Sequence, residues 1–162
     1  DRGHRSLLVS SWIWIGAAIT VYLLYRRIAV TSTSSAATGY KAGQSFAIKL
    51  VEIEPGVSLA EAPADAFVKM RAAAASIGIE LHVNSGYRTM VQQERLYAAY
   101  QAGAGNLAAR PGYSNHQAGE AVDISGTEGG TGALYWWLEA NAARYGWKRT
   151  VKSEPWHWEY RA

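Results

Sequence analysis

The chain contains no cysteine. That excludes a disulfide framework and a thiolate metal site, so any zinc bound here has to be held by nitrogen and oxygen. It also lacks a basic run interleaved with aromatic residues. The formal net charge is only +3 and is scattered along the chain, which argues against nucleic acid as a partner. Residues 126–132 hold four glycines in seven positions, yet no Gly-Lys-Ser or Gly-Lys-Thr follows, so a phosphate-binding loop is excluded.

The length of 162 residues, with 49% apolar, is enough for one cored domain of ordinary size and an appendage, but short for two domains. The appendage is the run of nineteen uncharged residues from 7 to 25, which predicts an N-terminal transmembrane helix, because a helix of that length nearly spans the hydrocarbon core of a bilayer. Arg2 and Arg5 precede the run and Arg26 and Arg27 follow it, so the charges do not fix its orientation. We read residues 1–30 as a membrane anchor. Residues 31–43, a Ser/Thr/Ala/Gly tract without hydrophobic period, have the composition of a flexible linker, and residues 44–162 form the remaining domain.

Within that domain, residues 46–53 alternate weakly, as a peripheral strand would, before the turn signal Pro55-Gly56. Residues 61–77 place Phe67, Met70, Ala74 and Ile77 at helical steps, and Gly78 stops the helix. A strand is expected over 79–84 and a helix over 90–102, with Thr89 as its N-cap and Val91, Leu96 and Tyr100 as its apolar residues. The segment 121–124 reads as a strand, 133–145 as an aromatic helix capped by Gly146, and 147–151 and 156–160 as the last two strands. In the final strand His157 and Glu159 share one face.

The stretch 112–125 sets His116 and Asp123 seven residues apart around a small-residue turn, and Glu154-Pro155-Trp156-His157 lies near the end of the chain. A catalytic zinc takes three protein ligands and keeps a fourth position for water. His116, Asp123 and His157 supply three. Glu154, three residues before a ligand and separated from it by a proline, is the candidate to move the proton of a metal-activated water. Arg88 falls at a strand end, where a guanidinium can point into a cleft and hold a carboxylate or a developing oxyanion. His82 has no second coordinating residue at short spacing and reads as a structural or solvent-facing histidine. Taken alone, these spacings also fit surface acids and packed histidines.

Three motifs, Ser85-Gly86-Tyr87-Arg88, then Ser114-x-His116-x-x-Gly119-x-Ala121-x-Asp123, then Glu154-Pro155-Trp156-His157, resemble in order and spacing those of the VanY-type zinc D-Ala-D-Ala carboxypeptidases. That group also includes VanX dipeptidases, phage peptidoglycan peptidases and hedgehog-like domains. The resemblance covers roughly residues 46–160. It implies an α+β fold, a small antiparallel sheet with helices packed mainly on one face, and one Zn2+ held by His116, Asp123 and His157. It further implies Glu154 as general base and acid, Arg88 as the oxyanion or substrate arginine, and Gln93 and Ser114 as substrate-contacting residues. The expected substrate is the peptidoglycan stem peptide, shortened by its terminal D-alanine, and the expected protein is a monomer anchored in the cell envelope. An endopeptidase of the L-Ala-D-Glu type and a non-catalytic zinc- or wall-binding module are the alternatives.

Overall fold

The computed structural model describes residues 34–162. The uncharged run at 7–25 lies outside them, and among the described residues no helix is long and apolar enough to cross a membrane. Among the described residues the fold is α+β, with seven strands in two antiparallel sheets and three α-helices. The sequence predicts a single sheet; instead, three strands are set apart by a tight hairpin sequence at the start of the domain.

Strands β1 (Ser34–Lys41), β2 (Gln44–Glu54) and β3 (Val57–Ala60) form the first sheet, in that order. This corrects the flexible-linker reading for residues 34–41. Ser34–Lys41 pairs with β2 along its whole length, from Ser34 opposite Val51 to Lys41 opposite Gln44. The strand escapes a periodicity test because it is largely exposed, with only Gly39 buried, so backbone hydrogen bonds rather than apolar alternation hold it. In β2, Ile48 and Leu50 turn inward at the spacing of two expected for a strand, and the next buried residue, Ile53, comes three positions later. The register shifts between Glu52 and Glu54, so a bulge returns Ile53 to the inner face.

Helix α1 (Glu61–Ala75) buries Phe67, Met70 and Ala74 as their spacing predicts, and Gly78, at φ +78°, ends it. The helix stops short of Ile77, which is 62% exposed. The second sheet has the order β4-β5-β7-β6, from β4 (Val83–Ser85), β5 (Ala121–Ile124), β6 (Trp147–Lys148) and β7 (His157–Tyr160). Of the strand expected over 79–84, only its end pairs. Helix α2 (Met90–Gln101) begins at Thr89, whose hydroxyl accepts from the Gln92 amide while the Gln92 side chain accepts from the Thr89 amide, a reciprocal cap. Helix α3 (Gly132–Asn141) continues into a 3-10 turn and ends at Gly146, at φ +80°.

One core serves these elements. Val122 and Ile124 of β5, Trp158 of β7 and Trp147 of β6 pack against Phe67 and Met70 of α1 and Leu138 of α3. Trp147 meets Phe67 edge to face at 5.8 Å between centroids. Alternation then decides the other side: with Val122, Ile124 and Trp158 turned to the core, Asp123, His157 and Glu159 face away from it. Helix α2 presents its apolar residues outward. Val91, Leu96 and Tyr100 are exposed, and its buried residue is the polar Gln93.

Candidate active site

Strands β5 and β7 pair antiparallel with Asp123 directly opposite His157, which brings a carboxylate and an imidazole together on the face turned from the core. His116 arrives from the turn before β5. Successive turn hydrogen bonds, Gln117 to Ser114, Ala118 to Asn115 and Gly119 to His116, wind that segment tightly. Gly119 makes the turn possible: its φ is +68°, and a Cβ there would lie 2.7 Å from the Ala60 nitrogen. The turn is also tied to the first sheet. Tyr40 N donates to the Gln117 carbonyl at 3.0 Å, Gly43 N to the Gly112 carbonyl at 2.9 Å, and the buried Gln117 side chain accepts from Gly112 N at 2.7 Å.

Three ligand atoms result. His116 Nε2 stands 3.3 Å from His157 Nδ1 and 3.3 Å from Asp123 Oδ1, and the last two are 3.1 Å apart. Atoms bound at the usual distances to a tetrahedral zinc stand about 3.3 Å from one another. The set fits that ion in size, and also in donor type, two imidazoles and a carboxylate.

The outer partners fix which ring nitrogens carry hydrogen. Gly86 O can only accept, so His116 Nδ1, 2.8 Å away, donates to it and leaves the Nε2 lone pair turned to the site. The Glu159 carboxylate likewise accepts from His157 Nε2 at 3.1 Å, leaving Nδ1 for the site. Three acceptors therefore converge, and a proton or a cation must lie among them. In the metal-free protein the proton wins. Burial alone would lower the His157 pKa, but hydrogen bonds and charge from Asp123 and Glu159 outweigh it and raise the value to about 9. Burial would raise the pKa of Asp123, yet the two histidines hold it well below the ordinary carboxylate range.

A cleft of about 430 Å³ opens over this triad, and Arg88, Ser114, Glu154, Trp156 and Glu159 line it too. Glu154 sits at the end of a turn in which its amide donates to Val151 O and its carbonyl accepts from His157 N, so ligand and glutamate share one rigid turn. Arg88 is held from behind, donating Nη1 to Gln93 Oε1 at 3.0 Å and Nη2 to Ser85 Oγ at 3.1 Å, with Asp123 Oδ2 at 3.6 Å. Burial lowers its pKa, and the charges of Asp123 and Glu154 oppose that shift.

The expected residues thus meet at one cleft with one exception. Gln93, expected to touch substrate, is fully buried behind Arg88: its Oε1 is taken by the arginine and its Nε2 donates to Ala109 O at 2.8 Å. His82 is exposed and lies near Glu80 and Glu54, away from the cleft. Glu159 is the residue that sequence reasoning missed. It is 5% exposed and gathers Asn115 Nδ2 at 2.6 Å and Arg161 Nη2 at 2.6 Å in addition to His157. Burial would raise its pKa, but these donors keep it ionised and shift the value downward. Its shared face with His157 was the available signal.

Residues 56–162 match the family model for VanY, D-alanyl-D-alanine carboxypeptidase. The chain belongs to the VanY family. A curated D-alanyl-D-alanine carboxypeptidase of Enterococcus faecalis (strain ATCC 700802 / V583) is 33% identical over an alignment covering 54% of this chain and 42% of its own length. The chain therefore spans less than half the length of that curated relative. Among solved structures, VanYB in complex with D-alanine-D-alanine superposes with a TM-score of 0.59 at 27% identity, covering 72% of this chain and 79% of the other. The vancomycin-resistance D,D-pentapeptidase VanY of a VanB-type cassette, a glutamate-to-alanine variant solved with Zn(II), gives 0.58 at 28% identity, covering 71% and 79%.

Proposed function

We propose that this protein is a zinc-dependent peptidase of bacterial peptidoglycan that removes the C-terminal D-alanine from stem peptides. The observation that carries the reading is the triangle of His116 Nε2, Asp123 Oδ1 and His157 Nδ1, with edges of 3.1 to 3.3 Å, at the floor of a cleft that Glu154 and Arg88 also line. Its support is the family membership and the D-Ala-D-Ala and Zn(II) of the two solved relatives.

In this reading His116, Asp123 and His157 hold one zinc ion, which supplies Lewis acidity for the scissile carbonyl and lowers the pKa of a water. The Glu154 carboxylate takes the proton of the attacking water and returns it to the departing D-alanine nitrogen. The Arg88 guanidinium, preorganised by Gln93 and Ser85, donates to the oxygen on which negative charge develops, and burial strengthens that interaction. Ser114 contacts the substrate from the cleft wall. Gln93 acts through Arg88 as a positioning residue.

The test is mass analysis of purified muropeptides after incubation with zinc-loaded and chelator-treated protein. Loss of one alanine, only with zinc, is expected. Release of the whole stem peptide would replace this reading with an L-Ala-D-Glu endopeptidase, and no cleavage by the zinc-loaded protein would leave a binding module. For location, we propose that residues 7–25 anchor the chain in the membrane, supported by the uncharged run, with the peptidase on the wall side, where its proposed substrate lies. A C-terminal reporter active only outside the cytoplasm is the expected readout.

A further inference from the structure

A second cavity of about 480 Å³ adjoins the metal cleft, between the β2–β3 turn, the end of β4 and the first turns of α2. The two share Arg88 and Leu96. Arg88 forms the wall between them, with Nη2 on Ser85 Oγ, and Leu96, 43% exposed, is the lip over both.

Their charges are opposite in kind. The metal cleft carries Asp123, Glu154 and Glu159, whereas the second cavity is lined by Arg88 and Arg95 and by no acidic side chain among the described residues. The Tyr87 hydroxyl is taken up by Thr38 O at 2.7 Å, but two side-chain amides remain able to donate. The Gln92 Oε1 is occupied by the Thr89 amide and hydroxyl at 2.8 and 3.1 Å, which leaves its NH2 for a ligand, and Asn84 lies alongside. Arg95 forms no ion pair with any carboxylate among the described residues, unlike Arg71, Arg88, Arg149 and Arg161. An exposed guanidinium without a partner, in a concave site with further donors and no competing acid, matches a carboxylate.

We propose that this groove is a subsite for the acyl side of the substrate peptide, in which Arg95 pairs with a carboxylate carried upstream of the scissile bond. The assignment to the acyl side rests on the carboxypeptidase reading. Such an enzyme has a single residue on the leaving side, and the metal cleft already accommodates it, so a cavity of this size has only upstream residues to receive. Leu96 then carries the aliphatic portion of the intervening residue across the saddle between the two sites.

The experiment uses the zinc-loaded full chain and two synthetic peptides ending in D-Ala-D-Ala that differ only in a glutamate or a glutamine two residues upstream of the scissile pair. We expect kcat/KM to favour the glutamate peptide by roughly fivefold, the scale of a partly exposed ion pair. Arg95→Gln brings that ratio close to one, and Arg95→Lys keeps part of it. No preference in the wild type, or a preference that survives Arg95→Gln, would overturn the proposal. The two readings fail separately. If the wild type cleaves neither peptide, the carboxypeptidase assignment falls, and the Kd values of the same peptides for zinc-loaded Glu154→Gln protein, with and without Arg95→Gln, decide on the groove by the same ratio.

Discussion

His157 donates its Nε2 hydrogen to Glu159, two residues along the same strand and 3.1 Å away, and that bond is what turns Nδ1 toward Asp123 and His116. Replacing Glu159 with glutamine keeps the volume and removes the charge. Partners of this kind are worth about 10–100-fold in metal affinity. Glu159→Gln is therefore expected to weaken zinc binding by that order, measured by competition with a chromophoric chelator.

Glu154 shares a turn with a ligand but lies outside the triangle of ligand atoms. Glu154→Gln should retain stoichiometric zinc and lose about 10²–10⁴-fold in turnover, the usual scale for a general acid and base. Zinc content and D-alanine release, assayed on the same preparation, check both halves. Wild-type rates in this variant would remove Glu154 from its role.

Gln93 predicts a different pattern. Gln93→Leu leaves the Arg88 guanidinium without one acceptor and the Ala109 carbonyl without a donor. A group that positions an oxyanion donor affects the transition state more than the ground state, so kcat should fall by about tenfold or more while KM changes little. Steady-state kinetics on a D-Ala-D-Ala peptide give the split.

The metal-free protein should show a pH signature. Its His157 pKa of about 9 is above the ordinary 6.5, so the stability it contributes is complete below about pH 6.5 and is lost as pH rises through about 9. The depressed Asp123 and Glu159 contribute stability above their ordinary values of 3.8 and 4.5, lost as pH falls. The melting temperature of chelator-treated protein should therefore be highest between about pH 4.5 and 6.5. Zinc must displace the His157 proton, so binding near neutrality releases about one proton, read by calorimetry in buffers of different ionisation enthalpy.

Gly119→Ala places a Cβ 2.7 Å from Ala60 N at a backbone angle of +68°. The Ala60 amide donates to Gly119 O at 3.1 Å, so the clash opens the link between the first sheet and the His116 turn. A loss of about 2 kcal/mol or more in unfolding free energy is expected, measured by urea denaturation.

Much of this site was legible because its chemistry dictates residue types: His116, Asp123, His157, Glu154 and Arg88 were each nameable from motif and spacing. What was not legible depends on which side of an element faces inward. Val91, Leu96 and Tyr100 are the apolar residues that the sequence offers in α2, yet its buried position is Gln93, whose side chain accepts from Arg88 and donates to the Ala109 carbonyl. Strand β1 was hidden by its small, exposed residues, which carry no alternation. Glu159 was visible beside His157 but had no feature marking it as a partner until Asn115 and Arg161 were seen around it.

The order β4-β5-β7-β6 places β7, the last of these four in sequence, between two that precede it in the chain. While the chain is being synthesised, β5 and β6 have no mutual ladder, and Trp158, which completes the hydrophobic packing, emerges together with His157. A nascent chain stalled before residue 157 has neither a closed sheet nor a complete ligand set, so both are acquired in one late event.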